Sequence, residues 1–294
     1  MKEGFSSLQS SGPHLKSKAL AIRNRLFPDW PMLIRLPFGS LWLAWNDTLS
    51  TALYLKMPFE QGERKFVENF LRPGMVVLDV GAHHGIYTLL ASKKVGPKGL
   101  VFSFEPSPRE LRRLKLNLII NCCRNVRVEP SAVGSTKGTG DLFICSDQNT
   151  GLNSLRPPAV QEQTRKITVP MTTLDDYISQ HGIDIDLLKI DVEGGELEVL
   201  KGAARTLHSK PPHVIMCEVQ DVRTRPWGYR ADEICDLLEA NDYQLYSVTI
   251  DGTLEPFPRK EEHEENLIAI PRKRSISSRI APVQERSRVG EAYL

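Results

Sequence analysis

The stretch VVLDVGAHHG, residues 76–85, constrains the fold of this chain more than any other segment. It begins as an apolar run of the kind that forms a buried parallel strand. Its glycines allow the backbone to turn sharply and to approach a ligand closely. Residues 86–94, IYTLLASKK, then follow a helical pattern. Strand, tight glycine loop and helix together predict the first unit of a nucleotide-binding α/β domain.

An acidic residue in this loop indicates which kind of ligand it binds. Asp79 stands two residues before Gly81, and the Gly-x-Gly-x-x-Gly fingerprint of dinucleotide-binding loops is absent. A carboxylate beside phosphates would repel them, so the loop suits a ligand that has an adenosine and a positive charge but no phosphates. S-adenosylmethionine, with its sulfonium and ammonium groups, is such a ligand. A nicotinamide-dependent oxidoreductase on a similar sheet is the alternative, which Asp79 and the missing third glycine disfavour.

Length and composition limit the classes of protein that the chain can represent. Its 294 residues suffice for one large α/β domain and a smaller element. The formal net charge of +2 does not indicate a bulk nucleic-acid partner. The start of the chain lacks the apolar core of a signal peptide, and no apolar run approaches the roughly 18 residues of a membrane-spanning helix. The 5 cysteines have no Cys-x-x-Cys spacing, so we expect neither zinc nor disulfides, and a cytoplasmic protein without membrane contact.

Composition divides the chain into four parts. Residues 1–24 are polar and Ser-rich and are predicted to be disordered. Residues 25–58 are predicted to form an extension of short strands and a loop. Residues 59–271 are predicted to form the ligand-binding domain, and residues 272–294 a basic, flexible tail.

Within the predicted domain, apolar runs alternate with amphipathic segments. We predict strands at 76–80, 99–104, 126–129, 185–190, 212–219, 244–249 and 266–270, helices at 59–71, 86–94, 108–121, 195–207 and 231–241, and a further helix that begins at residue 173. The stretch 134–169 is predicted to be irregular, with two short strands. The alternation predicts an α/β fold with a doubly wound, mostly parallel seven-stranded sheet and a ligand site at the carboxyl ends of the strands.

Glu105 is the first candidate for a ligand contact outside the glycine loop. It ends the second strand, about 20 residues past Gly85, where an acid can accept hydrogen bonds from both ribose hydroxyls. A solvent-facing carboxylate at a strand end is the alternative. The acidic loop in the preceding unit favours the ribose role.

Lys189, Asp191 and Glu193 follow one another at a spacing of two near the end of an apolar strand. In an extended segment this spacing puts the side chains on one face. Buried charges are costly unless they are paired or touch a ligand. One interpretation is a structural ion pair with a helix cap; the other is a catalytic cluster in which a carboxylate accepts the acceptor's proton and Lys189 orients it.

Two further groups of side chains suggest metal or donor contacts. Glu218 ends the fifth strand beside Asp191 and Glu193, and these three carboxylates could hold a magnesium ion, although we do not expect one. His83 and His84 are adjacent and lack a carboxylate at a zinc spacing. We expect them to shape the donor pocket, with His83 contacting the donor.

Aromatic and basic residues are candidates for the acceptor side. They are Trp42, Trp45 and Trp227, which could form either a pocket lid or core, and Arg223, Arg225 and Tyr229 in the loop after the fifth strand. Their types permit recognition of a polyol or an anion.

The chain resembles the FkbM family of S-adenosylmethionine-dependent methyltransferases over residues 59–270. The motifs that carry the resemblance are GMVVLDVGAHHGIYTLLAS, FEPSP, NVRVEPSAVG, TTLDDYI, and above all IDLLKIDVEGGELEVLKGA followed by PHVIMCEV. The resemblance implies a Rossmann-like, seven-stranded sheet whose last strand runs antiparallel. It also implies methylation of a hydroxyl on a macrolide, sugar or other secondary metabolite.

By matching motifs, the resemblance assigns Asp79, Gly81 and Gly85 to the loop that binds the methyl donor. The family loop usually reads GAN-x-G, and His83 takes the place of the asparagine. A histidine ring can still donate and accept hydrogen bonds there.

The resemblance also distributes the remaining contacts along the sheet. It implies that Glu105 holds the ribose, that Ser131 and Ala132 border the adenine, and that Asp191 and Glu193 lie at the reacting end.

We therefore expect an S-adenosylmethionine-dependent methyltransferase that acts on an oxygen nucleophile of a hydroxylated small molecule. Asp191 is expected to orient the acceptor or remove its proton, with Glu193 and Lys189 supporting it. A binding protein that has lost turnover is a further alternative, which buried charges at this position disfavour. The sequence is compatible with a homo-oligomer and does not distinguish it from a monomer.

Overall fold

The computed structural model describes residues 12–27, 30–158 and 162–272. Within them the helices are α1 Gly12–Leu26, α2 Thr48–Leu55, α3 Gln61–Phe70, α4 Ile86–Val95, α5 Pro108–Ile120, α6 Leu174–His181, α7 Glu196–Lys201, α8 Ala204–Ser209, α9 Asp221–Thr224 and α10 Asp232–Ala240. The strands are β1 Met32–Arg35, β2 Leu41–Ala44, β3 Val76–Val80, β4 Leu100–Phe104, β5 Val126–Glu129, β6 Ala132–Val133, β7 Gly138–Ile144, β8 Arg165–Thr172, β9 Leu187–Ile190, β10 Val214–Gln220, β11 Tyr243–Val248, β12 Leu254–Pro256 and β13 Glu264–Pro271.

One large sheet organises the described chain, with the strand order β12-β11-β13-β10-β9-β3-β4-β5. Strands β5, β4, β3, β9 and β10 run parallel. Strand β13 lies antiparallel between β10 and β11. The predicted doubly wound, mostly parallel sheet with an antiparallel last strand is confirmed. The sheet has an eighth strand that the sequence did not indicate, the short edge strand β12, which pairs with β11.

Alternation along the central strands divides the core between the two faces of this sheet. Leu78 belongs to one buried cluster and Val77 to the other, because successive side chains on a strand point to opposite faces. On the same rule Asp79 shares the face of Val77. The register puts Asp79 of β3 opposite Lys189 of β9, so two charged residues meet on a face that is otherwise apolar.

The stretch predicted to be irregular contains more structure than expected. Strands β6, β8 and β7 form a separate three-stranded sheet, and the β7–β8 pairing runs from Gly138 to Ile144. The helix predicted at 195–207 is two helices, α7 and α8. It is interrupted because the carbonyl of Gly202 accepts a hydrogen bond from the backbone of Asp175 at 2.9 Å instead of continuing the helix.

The segment before the sheet is folded against the domain. Helix α1 stands where the sequence predicted disorder for residues 1–24; it buries Leu20, and Asn24 donates a hydrogen bond to Asn46 at 2.8 Å. The predicted extension also contains helix α2, whose N-cap is the buried Asp47. Residues 1–11 and the predicted tail beyond residue 272 lie outside the described residues.

Among the helices that the structure describes, none combines the length and the apolarity that a membrane span requires.

Candidate functional site

A cavity of about 330 Å³ opens at the carboxyl ends of β3, β4, β9 and β10. Parallel sheets bind ligands at this edge, and the size is typical of small-molecule sites. The sequence-predicted residues that line it are Asp79, Gly81, His83, Glu105, Ser131, Ala132, Lys189, Asp191, Glu193 and Glu218. Gly85 does not line the cavity; it is the N-cap residue of α4, with a φ of 92°.

Lys189 is the charged centre of the cavity floor. Its Nζ lies 3.2 Å from Asp191 Oδ2 and 3.6 Å from Asp79 Oδ1. Burial alone would lower the pKa of Lys189, but the nearby carboxylates, Asp191 first, outweigh it and raise the pKa above its ordinary value. Lys189 is therefore a fixed cation that orients Asp191. A structural ion pair and a catalytic role, which the sequence left as alternatives, are therefore compatible for Lys189 and Asp191.

The loops after β3 and β9 touch at one glycine. Gly81 adopts a φ of 80°, and a Cβ atom built on it would lie 1.7 Å from the carbonyl oxygen of Asp191. Any larger residue would push the two loops apart. The glycine that the sequence assigned to ligand approach thus also fixes the distance between Asp79 and Asp191.

Glu105 is held by backbone donors on two sides. Its Oε2 accepts from the N–H of His83 and its Oε1 from the N–H of Ser107, both at 2.8 Å. Burial, followed by the nearby Glu110, raises the pKa of Glu105 to about 8. In the ionised form each carboxylate oxygen keeps a free lone pair, so Glu105 can then accept hydrogen bonds from a ligand's hydroxyls as well.

The two adjacent histidines have different surroundings. His83 Nε2 lies 2.9 Å from Thr150 Oγ1, and burial lowers the pKa of His83 to about 3, so the ring is neutral. His84 stacks on it at 3.8 Å and is fully buried against Trp42 and Trp45. The N-terminal extension therefore packs against the glycine loop that follows β3. These two tryptophans are packing residues rather than a lid.

The carboxylates at the other end of the cavity lie close together. Oxygen atoms of Asp191, Glu193 and Glu218 are within 4.8 Å of one another, which suits the oxygen ligands that Mg²⁺ prefers. Glu193 already pairs with Arg223 Nε at 2.9 Å. Burial, followed by Asp191, raises the pKa of Glu193 to about 8, and Glu218 Oε2 is buried without a hydrogen-bond partner. Protons can therefore balance this charge as well as a metal can, and the expectation that this site works without magnesium stays a prediction.

Residues of the loop after β10 have separate roles. Trp227 lines the cavity, and the Arg156 guanidinium lies over its ring, 5.1 Å from the ring centre. Tyr229 donates to the carbonyl of Gly194 at 2.6 Å and so fixes the loop after β9. Arg225 is exposed and pairs with Glu262.

Several cavity residues have no signal in the sequence motifs. Glu60 and Thr150 reach the cavity from outside every motif, and Tyr87 reaches it from within the first motif although its side chain was not singled out. Backbone strain does mark part of the site. Glu60, His83 and Glu193 are non-glycine residues with φ of 40°, 51° and 58°, a conformation that persists mainly where function or packing requires it.

Glu196 is a structural carboxylate inside the most specific motif. Its Oε1 accepts from the N–H groups of Val192 and Gly194 at 2.9 and 3.2 Å. These two hydrogen bonds fix the backbone of the loop that contains Asp191 and Glu193.

Comparisons with known proteins identify relatives of this site. Methyltransferase sdnD of Sordaria araneosa is 31% identical over 154 residues, 43% of this chain and 59% of that protein. The 2-O-methyltransferase NoeI of Sinorhizobium fredii is 27% identical, over 49% of this chain and 63% of that protein. The 31-O-demethyl-FK506 methyltransferase FkbM of Streptomyces tacrolimicus is 30% identical, over 52% of this chain and 68% of that protein.

The chain spans only about three fifths of the length of sdnD and NoeI. A family model matches a larger share of this chain than these relatives do. The model of the methyltransferase FkbM domain matches residues 79–245, from the acidic residue of the first loop into β11. This span is more than half of the chain and includes most of the cavity, so the chain belongs to the FkbM methyltransferase domain family.

Proposed function

We propose that this chain is an S-adenosylmethionine-dependent O-methyltransferase that acts on a hydroxyl of a small molecule. The observation that carries the proposal is the arrangement of one cavity. Glu105 lies at the end of β4, and Asp79, Lys189 and Asp191 lie at the ends of β3 and β9.

The donor set of the cavity fits this ligand. Asp79 Oδ1 and Glu218 Oε2 are buried carboxylate oxygens without hydrogen-bond partners. A buried site with more carboxylates than cations favours a positively charged ligand and disfavours a diphosphate. On this proposal Glu105 accepts from the ribose hydroxyls, and Ser131 and Ala132 border the adenine.

When bound, S-adenosylmethionine supplies an electrophilic methyl group. The residues of the chain then have to bring an oxygen into line and take its proton, and no protein nucleophile is needed. On this proposal Asp191 accepts the proton of the acceptor hydroxyl, and the position of Lys189 Nζ at 3.2 Å from its Oδ2, which orients the carboxylate, supports this role. Lys189 itself stays charged and does not act as a base.

The oxygen specificity is supported by the names of two relatives. NoeI is a 2-O-methyltransferase and FkbM is a 31-O-demethyl-FK506 methyltransferase. The half-buried Trp227 and the carboxylates of Asp191 and Glu218 offer an apolar ring beside hydrogen-bond acceptors, which suits a hydroxylated acceptor.

The test combines binding with transfer. Calorimetry of the purified chain with S-adenosylmethionine and with NAD should show binding of the first only. Incubation with donor labelled in its methyl group and a library of hydroxylated metabolites should give labelled products, and Asp191→Asn should give few. NAD binding in place of the donor would refute the proposal, and donor binding without any transfer would favour a non-catalytic binder.

A further inference from the structure

Glu60 is a cavity residue that lies outside the span matched by the family. It precedes α3, adopts a left-handed φ of 40° and makes no side-chain cap to that helix. Its side chain instead reaches the cavity, where its buried Oε2 makes no hydrogen bond; the hydroxyl of Tyr87, also buried and unbonded, lies close enough to lower the pKa of Glu60. A strained residue with an unsatisfied buried oxygen requires an explanation.

The charges around Glu60 do not balance. Lys189 is the cation near it, and it is already shared by Asp79 and Asp191. Burial, followed by repulsion from Asp191, raises the pKa of Glu60 to about 7. Three carboxylates beside one ammonium leave a negative excess, which a second cation would relieve.

The position of Glu60 indicates which part of a donor would reach it. Glu105 stands at β4, whereas Glu60 faces Lys189 and Asp191 of the β9 end. Strand β3 separates these two ends. With its ribose at Glu105, a donor would extend across β3 and bring its amino-acid end toward Glu60. Of the donor's two cationic groups the sulfonium has no hydrogen to donate, so the α-ammonium is the one that can give Glu60 Oε2 a charge-assisted hydrogen bond, which is stronger than one from the neutral Tyr87 hydroxyl.

We propose that the Glu60 carboxylate binds the α-ammonium group of the methyl donor. This inference rests on the proposed function. Since the demethylated product S-adenosylhomocysteine keeps the same ammonium, Glu60 holds donor and product alike. Such uniform binding affects KM rather than kcat.

The test removes the ammonium from the ligand and the carboxylate from the protein. Calorimetry compares S-adenosylhomocysteine with its deaminated analogue, which keeps the adenosine, thioether and carboxylate. The wild-type chain should bind the analogue about 10-fold or more weakly, the usual loss for a hydrogen bond between charged groups. Glu60→Gln should weaken S-adenosylhomocysteine binding by a similar factor and leave analogue binding nearly unchanged.

Glu63→Gln, in the first turn of the helix that follows Glu60, is the matched control. Glu63 lies outside the cavity lining and accepts from Asn266 at 3.5 Å, so its variant should keep the full preference for the amino compound. The wild-type preference is itself a test that does not depend on any variant folding.

Two results would overturn the proposal. One is equal affinity of the wild-type chain for the two ligands. The other is an equal loss of affinity for both ligands in Glu60→Gln, which indicates a structural role. If the wild-type chain bound neither compound nor S-adenosylmethionine, the proposed function itself would fail, and this result differs from the first two.

Discussion

Replacing Lys189 with methionine tests whether the buried charges of the cavity depend on one cation. Lys189 Nζ lies within 3.6 Å of carboxylate oxygens of both Asp79 and Asp191. Asp79 is only 1% exposed, and its Oδ2 accepts a hydrogen bond from the Thr88 hydroxyl. Methionine fills much of the volume of the lysine stem but leaves Asp79 buried without a compensating charge.

The expected loss follows from this burial. Removing one partner of a buried ion pair typically costs about 3–5 kcal/mol, because the other charge is left uncompensated. We expect Lys189→Met to lower the free energy of unfolding by about this amount. The double variant Lys189→Met/Asp79→Asn also removes the stranded charge, and it should recover about half of the loss or more.

Urea unfolding followed by circular dichroism measures these differences. The control is Lys166→Met, since Lys166 pairs with Asp141 at 3.0 Å but the two side chains are 57% and 49% exposed. Exposed pairs contribute about 0–1 kcal/mol. The reasoning is refuted if Lys189→Met costs no more than the control, or if the double variant is less stable than the single one.

Four further outcomes are expected. Glu105→Gln should weaken donor binding about 10-fold or more in calorimetry above pH 8, where Glu105 is ionised, because an amide cannot accept from the N–H groups of both His83 and Ser107 as a carboxylate does. Asp191→Asn should lower kcat by about 10²–10⁴-fold in a labelled-methyl assay and largely keep the donor Kd. Burial raises the pKa of Glu105 from 4.5 to about 8, so the native state binds this proton more tightly than the unfolded chain does. The free energy of unfolding should therefore fall as the pH rises from 4.5 to about 8. Glu105→Gln should remove this pH dependence from the urea midpoints. Asn117→Ala should cost about 1–3 kcal/mol in urea unfolding, because the buried Asn117 accepts from the N–H of Leu43 and donates to the carbonyl of His84.

Each of these outcomes has a contrary result. Unchanged donor affinity in Glu105→Gln would remove the ribose assignment, and an unchanged pH slope would mean that Glu105 does not hold the proton. An equal loss of affinity and turnover in Asp191→Asn would make Asp191 a donor ligand. A fully stable Asn117→Ala would show that the extension is not needed to support the donor loop.

Much of the fold could be predicted because its signals are local. The apolar run and glycines around Val76–Val80 gave the strand that the structure contains. The threonine at the predicted start of the sixth helix, Thr173, does accept from the N–H of Asp176 at 3.1 Å. Where the structure differs from the prediction, a contact between residues far apart in the sequence is the reason. The backbone of Asp175 interrupts the helix after α7, and Asn46 helps to hold α1.

The site could be predicted only where a motif carried it. Asp79, Lys189 and Asp191 lie in recognisable motifs at or just past strand ends, and the structure brings them together. Glu193 follows the predicted spacing and lines the cavity, but its backbone is left-handed rather than extended and its side chain pairs with Arg223. Glu60 belongs to no motif at all, so a carboxylate in the cavity could not be distinguished from an ordinary surface acid near a helix start.

The sequence by itself determined the strand, loop and helix units, the carboxylates at the strand ends and the family, because period and turn chemistry are encoded within short stretches. Only the tertiary structure decided which of those charges share one cation, how the extension supports His84 and which residue faces the cavity from α3. These features depend on strand register and on packing between segments far apart in the chain, and no local pattern records them.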